Sequence, residues 1–199
     1  MEIIEKQLHE IKHYVFETFS HDVSGHDYEH MHRVAQLSRK IAEKEASDVH
    51  LCEVAGWVHD LIDHKLTDDV AKNKKALTNL LSKIKLSDKQ IQAVIEAIDT
   101  VSFSKGVLPT SKIGQIVQDA DRLDAIGAIG VARAFSFGAS RGRPLYGTNG
   151  QSTIEHFDHK LFKIKDQLHT TYAKQLATER HQFLELFYQQ FLKEWPDIN

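Results

Sequence analysis

The chain has 199 residues, 41% of them apolar and 27% charged, with a net charge of −3, so it is long enough for one domain with its own core. No basic excess points to nucleic acid or to an anionic membrane surface. The single cysteine, Cys52, excludes an intramolecular disulfide and predicts a reducing, cytoplasmic setting. The amphipathic, charged N-terminus lacks the apolar run of a signal peptide, and no segment approaches the roughly 18 apolar residues a membrane helix needs.

Helical periodicity runs through nearly the whole chain. Ile4, Leu8, Ile11, Val15 and Phe19 recur at spacings of three and four and predict a first helix, followed by a turn over His21–Gly25. A second helix is predicted from about Asp27 to Glu45. A third begins near Asp48 and runs through Leu61, and its stretch Val54–Ile62 is apolar nearly all round, which predicts a buried central helix. A fourth follows Thr67, a candidate N-cap with Asp68 and Asp69 in its first turn. A fifth opens on the capping-box pair Ser87 and Gln90. Phe103–Ser111, with Gly106 and Pro109, reads as a loop.

Helices resume over Lys112–Asp121 and Arg122–Phe137, and Gly138–Gln151 is the longest predicted loop. Ser152 and Glu155 form another capping-box pair, opening a helix toward Leu168, and a last helix spans about Thr171 to Glu194. With only three prolines to interrupt it, the chain is predicted to be all-α, a single domain over residues 1–199 of about eight or nine helices. Residues of about 25–125 form its chemical core, with helices of about 152–195 expected to pack on that core.

Three places carry candidate chemistry. The first is His59-Asp60, an imidazole and a carboxylate inside an apolar run, where burial is costly unless the groups are paired or bind an ion. The second is His30 in an H-x-x-R-V arrangement at the start of a helix, with His26 and Arg33 on roughly the same face. The third is QDADRLDAIGA, where Asp119, Asp121 and Asp124 sit among small and apolar residues. A helix N-terminus accounts for one or two such acids, not easily for three.

Together these places resemble the HD superfamily of metal-dependent phosphohydrolases. The resemblance implies a helical bundle and the metal ligands His30, His59, Asp60 and Asp121, the last chosen because the Ala-Asp-Arg-Leu context at Ala120–Leu123 matches the family's final ligand. His26-Asp27 precedes the H-x-x-R-V motif and is not taken as the HD pair. Through SRGRPLYG the chain is similar to small stand-alone bacterial HD proteins described as nucleotide pyrophosphohydrolases. Two imidazoles and two carboxylates suit Mn²⁺, Fe²⁺, Co²⁺, Ni²⁺ or Zn²⁺ and tolerate Mg²⁺. The resemblance favours Mn²⁺. One ion is expected, since between Asp60 and Asp121 the only further histidine is His64.

HDLIDH also resembles the HDxxED run of the stringent-alarmone hydrolases, which implies Asp63 as a catalytic acid–base group, with His64 a weaker candidate. Asp124 is a candidate for holding a ligand histidine or capping a helix. A phosphorylated substrate needs cations, and the candidates are Lys65, Arg122, Arg133, Lys105, Arg141 and Arg143, with Ser102 and Ser104 beside Lys105. Lys72, Lys74 and Lys75 read as a solvated helix face. Tyr28, Phe135, Phe137 and Tyr146 could line a base pocket or simply pack. His50, His156, His159, His169 and His181 read as structural or exposed.

The expected activity is hydrolysis of (deoxy)nucleoside triphosphates to monophosphate and pyrophosphate. Two other readings remain open: a phosphodiesterase or 5′-nucleotidase acting on a nucleotide, and a non-catalytic metal-binding regulatory protein. The expected partner is a small nucleotide, with neither nucleic acid nor membrane, and an apolar helix face leaves room for a homodimer.

Overall fold

The computed structural model describes residues 2–22, 25–63, 69–101, 106–147 and 150–195. These form α1 (Glu2–Phe19), α2 (Tyr28–Lys44), α3 (Val49–Val58), α4 (Val70–Lys83), α5 (Asp88–Asp99), α6 (Lys112–Asp124), α7 (Gly127–Ser140), α8 (Glu155–His159), a 3₁₀ helix (Leu161–Gln167) and α9 (Thr171–Glu194). The described residues contain no strand, and the protein is all-α as its periodicity predicts.

Two compact units divide the chain, and the division falls inside α6. The first comprises Met1–Asp22 and His26–Asp121. Its centre is α3, whose residues Leu51–Val58 are all buried and which packs against α1, α2 and α5. The core joins Ile11 and Val15 of α1, Met31 of α2, Trp57 and Val58 of α3, Leu81 of α4 and Val94 of α5. Gly56 lets α2 and α3 approach closely: a Cβ there would lie 2.7 Å from the Ala35 Cα and 2.8 Å from the Ser38 Oγ. That approach sets the distance between the start of α2 and the end of α3, where His30 and His59 lie.

The second unit comprises Val23–Gly25 and Arg122–Asn199. In it α7 packs on α9, and the 3₁₀ helix packs on α8 and α9. Phe135, Phe157, Phe162, Phe187 and Phe191 form an aromatic cluster within this unit.

Side-chain caps fix most helix starts. Asp27 accepts from the His30 N–H, Asp48 from the Leu51 N–H, and Ser87 with Gln90 forms the expected capping box. Several element boundaries differ from the periodicity: α6 runs on to Asp124, and α7 spans Gly127–Ser140 rather than Arg122–Phe137. Asp69, not Thr67, caps α4, accepting from the Lys72 N–H at 2.9 Å; Thr67 and Asp68 lie outside the described residues. Helix α3 stops at Val58, and the chain continues through successive tight turns in which the N–H groups of Leu61 and Asp63 donate to the Val58 and Asp60 carbonyls. The helix expected from Ser152 to Leu168 is two shorter pieces broken at Lys160. Buried Leu161 and Ile164 are three apart, a spacing that a 3₁₀ helix aligns as well as an α-helix does.

Candidate metal centre

The first unit brings the four expected ligands together. His30 sits in the first turn of α2, His59 closes α3, Asp60 follows it, and Asp121 comes from α6. His30, His59 and Asp60 are buried, and the Asp121 side chain is about a quarter exposed, at 26%. His30 Nε2 lies 3.6 Å from Asp60 Oδ2 and 3.5 Å from Asp121 Oδ1. His59 Nε2 lies 3.3 Å from Asp60 Oδ1 and 3.8 Å from Asp121 Oδ1. Two ligands bound at ~2.1 Å to one ion stand about 3.0–3.4 Å apart for bond angles between octahedral and tetrahedral. The cluster needs only small adjustments to reach such spacings.

The tautomer of His59 points the same way. Its Nδ1 is 2.9 Å from the Gly56 carbonyl oxygen, which can only accept, so Nδ1 carries the proton. In the neutral ring Nε2 is then a lone pair, buried, with no hydrogen-bond partner among the described residues, and it faces two carboxylate oxygens. Lone pair against carboxylate is repulsive, and a cation between them removes the conflict. A histidine whose other ring nitrogen is fixed by a backbone carbonyl is the usual arrangement of a metal ligand.

His26, set beside His30 by its spacing but not taken as a site residue, contacts the site directly. It precedes α2 in a turn, where its N–H donates to Asp22 Oδ1 at 3.1 Å. Its Nδ1 donates to Asp60 Oδ2 at 2.7 Å. The possible ligand atoms fall into two overlapping triads, His26–His30–Asp60 and His30–His59–Asp121, which share His30. Burial acts to raise the Asp60 carboxyl, but the imidazoles gathered round it, His59 and the hydrogen-bonding His26 foremost, outweigh burial and hold that carboxyl well below the usual range. With His59 in its neutral tautomer, a divalent cation at the same spot acts in the same direction.

The remaining candidates divide into several groups. Asp63 follows α3 in the tight turns and so does not share a helix face with Asp60; it is half-buried. Asp124 is buried and takes the Arg133 Nη1 at 2.8 Å, while Arg133 Nη2 donates to the Gly25 carbonyl at 2.9 Å. Arg122 is buried and donates to the Gln167 carbonyl, with His169 Nε2 3.4 Å away. Arg141 and Arg143 are exposed, and both lie over the Phe137 ring. His64, Lys65, Ser102, Ser104 and Lys105 lie outside the described residues.

The base-pocket candidates are engaged in ring contacts. Tyr28 packs on Phe16 and Trp57, Phe135 joins the aromatic cluster, and Tyr146 stacks on Trp195 at 4.9 Å. Of the histidines read as structural or exposed, His181 is buried and pairs with Glu185, and His50 is half-buried with its pKa lowered by burial.

No helix among the described residues is long and apolar enough to cross a membrane. The HD domain family model matches residues 27–126, which contain all four expected ligands. Over 198 residues the chain is 43% identical to the protein YpgQ of Bacillus subtilis, covering 98% of this chain and 96% of that one. The crystal structure of B. subtilis YpgQ in complex with ADP superposes with a TM-score of 0.84 at 41% identity, over 95% of this chain and 98% of that one. The structure of an HD-superfamily hydrolase from Bacillus thuringiensis superposes with a TM-score of 0.80 at 33% identity, over 96% and 98% of the two chains.

Proposed function

Since the chain belongs to the HD domain family, which includes metal-dependent phosphohydrolases, we propose that it hydrolyses (deoxy)nucleoside triphosphates to the monophosphate and pyrophosphate. The observation that carries the reading is the convergence of the His30 and His59 Nε2 atoms on the carboxylates of Asp60 and Asp121. The ADP complex of YpgQ supports a nucleotide as the ligand. The reaction is assigned to the cytoplasm, in keeping with a lone, buried Cys52.

One divalent ion, Mn²⁺ by preference, would be held by these four residues. His30 Nε2 reaches both carboxylates, and a single ring nitrogen gives its lone pair to one ion, so the two triads serve one centre. When bound, the ion supplies Lewis acidity to the phosphoryl oxygens and stabilises charge developing there.

The protein does the rest. His59 and His30 are pre-oriented by their burial, and His26 pins one oxygen of Asp60. Asp63 is assigned the proton of the attacking water, with His64 as a second acid–base group. Water adds at the α-phosphorus, the bond from that phosphorus to the bridging oxygen breaks, and pyrophosphate leaves with the bond's electron pair. Lys65 and Lys105 are assigned to phosphate oxygens, and Arg141 and Arg143 are assigned, within their own unit, to phosphate binding. Arg122 and Arg133, which already have protein partners, are assigned to bracing their own unit rather than to direct contact.

The test is to strip the protein of metal, restore single divalent ions, and assay nucleotides while separating orthophosphate from pyrophosphate. The expected result is pyrophosphate release, strongest with Mn²⁺ and lost in Asp60→Ala and His59→Ala. Equal turnover with and without metal would overturn the reading.

A further inference from the structure

The second unit gathers several cationic and imidazole side chains in one cleft. A cleft of about 500 Å³ is lined by Arg141, Arg143, Gln151, Ser152, His156 and His159 among others. The two guanidinium groups share one ring, lying 5.5 Å (Arg141) and 5.6 Å (Arg143) from the centre of Phe137. Like charges gathered on one aromatic ring repel one another, yet neither arginine pairs with a carboxylate among the described residues.

The two acids in the stretch 141–160 are already committed. Glu155 accepts from the N–H of Gly150 at 2.8 Å, the N–H of Ser152 at 2.9 Å and the Ser152 hydroxyl at 2.7 Å. Asp158 accepts from the Tyr188 hydroxyl at 2.8 Å. The cleft therefore has cations and neutral donors but no acid turned to their service.

We propose that this cleft binds a small oligophosphate anion, with Arg141 and Arg143 as forked donors and His156 and His159 completing the wall. A guanidinium fork matches two phosphate oxygens at once, and two forks call for a ligand with several anionic oxygens. The volume falls in the range of small-ligand sites. No lining residue is acidic, so the cleft offers no carboxylate to compete with an anion for the two guanidinium groups. The proposal shares with the phosphohydrolase reading only the assignment of Arg141 and Arg143 to phosphate; the charge of the cleft stands without any hydrolysis.

His156 supplies a reporter. Burial, then Lys160, Arg143 and His159, push it down to about 4, so it is neutral at pH 7. An anion seated among those cations offsets their charge and must raise that value.

The experiment uses the full chain freed of metal with a chelator, so that nothing is hydrolysed. Inorganic pyrophosphate is titrated in by calorimetry, and the His156 ring is followed by NMR against pH with and without it. The expected results are saturable one-site binding, an upward shift of His156, and binding weakened about tenfold or more in the double variant R141A/R143A. ADP and adenosine distinguish the source of the anion. ADP binding tighter than pyrophosphate, with adenosine silent, identifies the phosphate tail of a nucleotide, and pyrophosphate binding as tightly as ADP identifies the free anion. Pyrophosphate that leaves the wild-type His156 titration unchanged overturns the proposal, as does equal binding by the double variant. The wild-type titration decides even if the variant misfolds. Failure of the phosphohydrolase reading shows elsewhere, as no metal-dependent turnover.

Discussion

Asp60 depends on a partner outside the four-residue ligand set. His26 Nδ1 holds one of its oxygens at 2.7 Å and leaves Oδ1, 3.3 Å from His59 Nε2, for the ion. Removing a group that orients a metal ligand costs about 10–100-fold in metal affinity. His26→Ala is therefore expected to weaken Mn²⁺ binding by that order, measured by competition with a chelator dye. His26→Asn places an amide N–H near the position of Nδ1 and should restore most of the loss. Unchanged affinity in His26→Ala would contradict the role. The pair His59-Asp60 was legible in the sequence because a charged dipeptide in an apolar run demands a partner, whereas Asp121 was singled out from its two neighbours by family resemblance. The contact of His26 with Asp60 was not legible. His26 stands ahead of α2 in a turn, and its contact with Asp60 depends on how α2 meets the end of α3, which no local spacing encodes.

At the scale of elements, the close approach of α2 and α3 at Gly56 holds His30 and His59 in register. Gly56→Ala would drive a methyl to within 2.7–2.8 Å of Ala35 and Ser38. Overpacking of this kind costs about 1–3 kcal/mol. The expected outcome is a lower urea midpoint together with weaker metal binding, because the two histidines are pushed apart. A variant as stable as wild type would show that the helices can separate without penalty. Caps were the most legible features: Ser87 with Gln90 forms the reciprocal pair expected, and Ser152 with Glu155 does so ahead of the short α8. The end of α3 was less legible. Leu61 and Ile62 are as buried as the helix before them, and burial continues the apolar pattern after the helix has stopped. The turns that follow put His59 at the helix C-cap and swing Asp60 toward His26 and His30. An uninterrupted helix would have placed Asp60 and Asp63 on one face instead.

For the whole molecule, acid sensitivity follows from burial of neutral histidine. His156 is held at about 4, below its ordinary value of 6.5, so between those limits the folded protein binds fewer protons than the unfolded chain. Stability then rises with pH across that window and is lost as pH falls from about 6.5 toward about 4. His156 is partly exposed, which keeps the effect modest. Unfolding midpoints between pH 7 and pH 4.5, in phosphate-free buffer, should fall less steeply in His156→Gln than in wild type, and equal slopes would contradict the assignment. Fold class was legible throughout, because a period near 3.6 with few prolines leaves little but helices. The reaction rests most directly on where water attacks. Hydrolysis of a nucleoside triphosphate by the Mn²⁺-loaded protein in ¹⁸O-labelled water, followed by mass spectrometry of the products, should place the label in the nucleoside monophosphate and leave pyrophosphate unlabelled. Label in orthophosphate, with a nucleoside diphosphate as co-product, would contradict the account.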